Sequence, residues 1–136
     1  MRAMVDINVL VDVLQRREPF FLASAHVCDM AASGGLVGFI SAHAITTIYY
    51  ITRKFADADS AGKALDWLLG TFDVAGVSKA VIQRARGLSM ADFEDAVVAA
   101  ASESARCDYI ITRNIMDFDK SPVPAIAPSE FLALAK

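Results

Sequence analysis

With 136 residues, 55% of them hydrophobic and 21% charged, the chain can bury a core without staples, and its composition excludes a disordered protein. The net charge of −3 excludes the basic footprint of a protein that holds nucleic acid through phosphate contacts alone. No apolar run reaches the roughly 18 residues of a membrane span, the N-terminus lacks a signal-peptide pattern, and Cys28 and Cys107 have neither disulfide density nor metal-ligand spacing. The expectation is a cytoplasmic protein with two buried thiols and no membrane span.

Met4 and Val5 end an apolar entry run that reads as a first buried strand. From Ile7 the apolar residues Val9, Leu10, Val13 and Leu14 recur at spacings of three and four, the period of a helix facing a core. Asp6 stands at the junction. It is either the N-cap of that helix or part of the edge where open α/β sheets bind ligands, at the carboxyl ends of their strands. Arg16-Arg17-Glu18-Pro19 is a break, with Pro19 suited to the first turn of a helix over Phe20–Ala32. Ser33-Gly34-Gly35 stops that helix, and Leu36–Ile40 is a second strand. Ser41 is a natural N-cap for a helix through Ala44, Ile45, Ile48, Tyr49, Ile51 and Thr52 that ends at Arg53-Lys54, with Ile48, Ile51 and Phe55 on its core stripe. His43 reads as a polar residue of this helix, and neither it nor His26 belongs to a spaced metal pair.

Asp57–Ser60 opens a further helix with Ala64, Leu65, Trp67, Leu68 and Leu69 toward the core and Gly70 at its close. Phe72–Val77 reads as a third strand, Ser78 caps a helix through Val81, Ile82 and Ala85, and Met90–Arg106 is an alanine-rich helix. Asp108–Thr112 is the clearest strand, a continuous apolar run of the buried parallel type. Ala125–Ala127 is a last short strand before a helix opened by Pro128-Ser129-Glu130. Short strands alternating with longer helices predict a single three-layer α/β/α domain over residues 1–136, with a short, mainly parallel central sheet.

Three acidic clusters fall at related places. Asp6 follows the first strand, Asp92-Phe93-Glu94-Asp95 opens a helix with Asp92 and Asp95 on one face, and Asn114 and Asp117 lie just past the Asp108–Thr112 strand. In a parallel sheet the ends after Val5 and Thr112 share one edge, so these groups can converge. Carboxylates brought together repel one another, and a hard divalent cation removes the conflict. Mg²⁺ or Mn²⁺ at such a site suits phosphoryl chemistry. Taken singly, Asp92 with Asp95 and Asn114 with Asp117 also have the spacing of helix caps.

The stretches Met4-Val5-Asp6-Ile7-Asn8-Val9-Leu10-Val11-Asp12, Asp92-Phe93-Glu94-Asp95-Ala96-Val97 and Tyr109-Ile110-Ile111-Thr112-Arg113-Asn114-Ile115-Met116-Asp117-Phe118 resemble, in order, three signature blocks of PIN domains. The chain is most similar to the bacterial branch that includes VapC-type toxins of type II toxin–antitoxin pairs. The resemblance implies a PIN-like α/β/α fold and a Mg²⁺- or Mn²⁺-dependent endoribonuclease directed at single-stranded RNA, restrained by a small antitoxin and commonly a homodimer. By the same resemblance, Asp6 and Asp95 are the metal-bearing acids, Asn8 orients Asp6, and Asp92 flanks Asp95. Thr112 and Asn114 stand where the family places a hydroxyl and a further acid, and Asp117 supplies the missing charge. Arg113 is a candidate phosphate contact.

One position departs from the pattern. The family usually has a glutamate on the helix after the second strand, where this chain reads Thr46-Thr47-Ile48. Thr47 brings a hydroxyl and no charge, which bears on both metal affinity and turnover. Two other readings therefore stand beside the ribonuclease. One is a PIN fold serving as an RNA- or protein-binding module after losing the full acid set. The other is a phosphatase with Asp6 as nucleophile, which Asn8 disfavours because such enzymes want a second acid there.

Overall fold

The strands are apolar at nearly every position because helices cover both of their faces. In the computed structural model, which describes residues 1–135, the first half runs β1 (Arg2–Val5), α1 (Ile7–Leu14), α2 (Phe21–Ser33), β2 (Val37–Ser41), α3 (Ala42–Phe55) and α4 (Ala58–Thr71). The second half runs β3 (Asp73–Ala75), α5 (Lys79–Gly87), α6 (Phe93–Ser104), β4 (Tyr109–Ile111), a 3₁₀ turn over Ile115–Phe118, β5 (Ala125–Ile126) and α7 (Pro128–Leu134). The sheet order is β3-β2-β1-β4-β5, and every neighbouring pair is parallel. Side chains alternate between two cores as the pleat requires. Ala3, Val5, Ile40 and Ile111 join Val9, Leu10, Val27, Ile48, Leu68 and Phe131 on one side. Met4, Phe39 and Ile110 join Val81, Ala85 and the Ala96–Ala101 run of α5 and α6 on the other. The three-layer α/β/α architecture read from the sequence is the one observed, with a sheet that is wholly parallel.

Several boundaries move for local reasons. The amides of Phe20 and Phe21 both donate to the Arg17 carbonyl, at 3.0 and 2.8 Å. The chain is thus still turning at Pro19, and α2 begins at Phe21. Phe72 closes α4 rather than opening β3, and is buried against Gly38, where a Cβ would stand 2.7 Å from Phe72 Cδ1 and 3.1 Å from Ala31 Cβ. Only glycine admits that approach of helix to strand. β3 then lasts only as long as it pairs with Phe39, Ile40 and Ser41 of β2. The helix expected from Met90 starts at Phe93, because Asp92 caps it. Phe55 and Leu69, both expected to face the core, are exposed instead. The two cysteines are buried, and burial pushes the Cys28 thiol up to about 12 and that of Cys107 up to about 11.

Candidate active site

Since all five strands are parallel, the chain leaves β1, β2, β4 and β5 at one edge of the sheet. Asp6 belongs to that edge and to α1 at once. Its amide donates to Ile111 O at 2.9 Å, which continues the β1–β4 ladder by one residue. Its Oδ1 accepts from the Ile7 amide at 2.9 Å as the helix cap. Its Oδ2 accepts from Thr112 Oγ1 at 2.9 Å and from Asn8 Nδ2 at 3.3 Å. The carboxylate that caps α1 is therefore also the one that joins the polar cluster at the sheet edge. Asn8 also donates to Thr112 Oγ1 at 3.2 Å and accepts from the Arg113 amide at 3.2 Å, while the Asn114 amide donates to Thr112 Oγ1 at 3.0 Å. The ends of β1 and β4 are thus tied through two short polar side chains.

Beside this tie lies a cavity of about 160 Å³, lined by Asp6, Asn8, His43, Glu94, Asp95 and Asn114 among others. Asp95 reaches it from the first turn of α6. Asp92 spends one oxygen capping that helix, accepting from the Asp95 amide at 3.0 Å. Asn114 precedes the 3₁₀ turn but makes no side-chain cap bond there, so a cap does not account for it. Replacing Asp92 by Ala should therefore cost about 1 kcal/mol of stability, as lost caps do, measured by urea unfolding.

The carboxylates act on one another. Burial is the largest cause of the raised Asp6 pKa, opposed by the bonds from Thr112 and Ile7 and by His43, and reinforced by Asp117. Asp95 is pushed up to about 7, first by burial and then by Asp92, Asp6, Asp117 and Glu94 in that order. Asp117 is exposed and does not line the cavity, but its charge is felt by both acids. A carboxyl titrating near 7 in the fold and near 3.8 otherwise makes the folded chain bind more protons than the unfolded one across that window. Its contribution to stability is highest below the window and declines as the pH rises through it. In the absence of divalent metal, Asp95→Asn should melt higher than wild type at about pH 8, with the advantage vanishing near pH 4. A melting difference that stays flat across this range would contradict the coupling.

Two residues of the cavity were not singled out from the sequence. His43 follows the end of β2 by two residues, so the rule that located Asp6 also applied to it. Its Nδ1 pairs with Ser41 Oγ, and burial lowers its pKa while Glu94 and Asp6 raise it. Glu94, within a stretch already noted as acidic, supplies a carboxylate that the Asp92/Asp95 pairing had overshadowed. Thr47 lies one turn beyond His43 on α3, half-buried, and is not among the residues lining the cavity. Arg113, the candidate phosphate contact, is engaged within the chain. Its Nε donates to Asp12 Oδ2 at 2.6 Å, its Nη2 to Asp12 Oδ1 at 3.1 Å, and its guanidinium lies 4.0 Å from the centre of the Phe20 ring.

Against this geometry stand the comparisons with known proteins. The family model for the PIN domain matches residues 2–116. The chain belongs to the PIN-domain family. Among solved structures, the PIN chain is similar to one in VapBC2 from Rickettsia felis bound to a promoter DNA fragment, with 14% identity, a TM-score of 0.72 and coverage of 93% of this chain and 98% of that one. A toxin–antitoxin complex from Klebsiella pneumoniae gives 22% identity, a TM-score of 0.71 and coverage of 93% and 97%. The sarcin-ricin loop cleaving toxin VapC20 from Mycobacterium tuberculosis gives 15% identity, a TM-score of 0.64 and coverage of 79% and 86%. No match is found among the curated proteins. At these identities the likeness is one of fold. It agrees with the arrangement above, in which three PIN-like stretches meet at one sheet edge.

Proposed function

We propose that this PIN domain is a divalent-metal-dependent endoribonuclease that hydrolyses phosphodiesters of single-stranded RNA, and that it is the toxin of a pair with a small antitoxin. One observation carries the reading. Asp6 and Asp95 converge on a common cavity with Glu94, and burial first, then the neighbouring acids, pushes Asp95 up to about 7. Such a cluster is costly when empty of cations and favourable with one.

The donor set fits Mg²⁺ or Mn²⁺. The groups facing the cavity are mainly carboxylate and amide oxygens, the donors that suit Mg²⁺ and Mn²⁺, with one imidazole beside them. No three His, Cys, Asp or Glu side chains among the described residues gather closely enough for a complete protein cage. Mg²⁺ usually keeps several waters, so Asp6 and Asp95 would hold it directly while Glu94, Asp92, Asn114 and Asp117 would meet its waters and charge. Bound there, the ion supplies a polarised phosphate oxygen and a more acidic attacking water. The protein's own residues do the positioning. Thr112 and Asn8 fix the carboxylate plane of Asp6 through Oδ2, and Asn114 offers an uncharged amide where a further acid would add repulsion.

The antitoxin, a homodimeric state and a cytoplasmic location follow the family resemblance. No helix among the described residues is long and apolar enough to cross a membrane. The binding-module reading keeps one observation in its favour: Thr47 supplies no carboxylate in place of the family's glutamate. Incubation with a labelled single-stranded oligoribonucleotide separates the two. The ribonuclease cleaves it with Mn²⁺ or Mg²⁺ and stops on addition of EDTA. A binding module retains it intact under both conditions.

A further inference from the structure

The hydrogen-bond path Asp6–Asn8–Arg113 leads from the acidic cavity to a second hollow at the same sheet edge. That hollow has a volume of about 430 Å³ and is lined by Pro19, Phe20, Ser24, Arg113, Ala127 and Ser129 among others. Along the exit from β4, Thr112 bonds Asp6, Arg113 lines the hollow, and Asn114 returns to the acidic cavity. The two sites are therefore immediate neighbours.

The chemistry of the hollow is specific. Phe20 is 40% exposed, and the Arg113 guanidinium lies 4.0 Å from its ring centre. Asp12, fully buried, grips that guanidinium through two hydrogen bonds, which fixes its plane and meets its charge. No other charged residue lines the hollow, so it is poorly suited to a phosphate. Ser24 borders the same space, and its Oγ is buried without a hydrogen-bond partner among the described residues. Native proteins seldom leave a buried hydroxyl unpaired, so Ser24 Oγ has hydrogen-bonding capacity left for a partner at this end of the hollow.

We propose that this hollow receives one unstacked nucleobase of the RNA, adjacent to the phosphodiester held at the acidic cavity. The inference rests on the ribonuclease reading for its choice of RNA. Every base offers a flat π face that stacks on aromatic rings and guanidinium planes. Every base edge carries donors or acceptors, and a serine hydroxyl can answer either. The volume is in the range of pockets that enclose small ligands. Arg113 thus serves as a stacking plane beside Phe20, and Ser24 reads the base edge.

The test places 5-iodouridine in turn at each position of a short single-stranded oligoribonucleotide, irradiates the bound complex in EDTA, and maps the cross-link by peptide mass spectrometry. One position should cross-link to Phe20. Phe20→Leu, which keeps the apolar volume and removes the ring, should abolish that cross-link and weaken RNA binding about tenfold or more. Ser24→Ala should keep the cross-link and change the relative affinity among bases at that position several-fold. Absence of a Phe20 cross-link at every position, or RNA affinity unchanged in Phe20→Leu, would overturn the proposal. Cleavage of the same oligonucleotide in Mn²⁺ distinguishes the two ideas. Cleavage without the cross-link removes the base pocket and leaves the ribonuclease, whereas the cross-link without cleavage leaves a base-binding hollow in a non-catalytic module.

Discussion

Replacing Asp6 by Asn should leave the protein folded and lower metal-dependent RNA cleavage by roughly two orders of magnitude or more. The asparagine carbonyl can still accept the Ile7 amide, so the cap of α1 survives. An amide nitrogen at the place of Oδ2 takes away the acceptor used by the Thr112 hydroxyl and by Asn8 Nδ2, and Thr112 Oγ1, already accepting from Asn8 and Asn114, has no lone pair left for it. What also disappears is a negative charge in a site where burial already makes that charge costly. Without metal, the relief of that charge and the loss of the two bonds to Oδ2 oppose each other, so Asp6→Asn should melt close to wild type. With metal, wild type should gain stability that the variant does not, because only the carboxylate answers the cation. Cleavage at the wild-type rate by a folded Asp6→Asn protein would leave Asp6 with nothing but its capping role.

Replacing Arg113 by Ala should destabilise the protein by about 3–5 kcal/mol, because it strands a buried carboxylate. Asp12 is fully buried, and its two oxygens are met by the Arg113 Nε and Nη2. The same substitution removes the plane packed on Phe20. Asp12→Asn in the Arg113→Ala background should recover much of the loss by removing the unpaired charge, although each substitution alone destabilises. Urea unfolding of the two single variants and the double variant measures this directly. An Arg113→Ala protein within about 1 kcal/mol of wild type would mean that Asp12 finds another partner or solvent.

The parts of the molecule legible in the sequence are those whose signal is local. β1 and β4 announce themselves as apolar runs, and Asp6 and Asp92 stand where a strand or loop hands over to a helix. A parallel sheet then makes the convergence of Asp6 with Asn114 a matter of topology. The role of Arg113 was not legible, because its partner Asp12 lies far away in the chain and looks there like any polar residue of an amphipathic helix. The phosphate contact expected of Arg113 came with the ribonuclease reading, without knowledge of which charge the guanidinium meets in the fold. The exposure of Phe55 and Leu69 was missed for another reason. Their helices carry apolar residues on more than one face, and periodicity alone does not say which face meets the sheet. His43 was legible in principle, since it leaves β2 at the same edge as Asp6 leaves β1, but its apolar neighbours made it read as helix surface.

If Asp6 and Asp95 share a divalent cation, calorimetric titration of the folded protein with Mn²⁺ near neutral pH reads that sharing directly. Because Asp95 titrates near 7, metal binding should release protons. The measured heat should then change between buffers of different ionisation enthalpy. Wild type should show a saturable binding event with that signature, and both Asp6→Asn and Asp95→Ala should lose it. Equal Mn²⁺ binding in wild type and in the two folded variants would contradict the account.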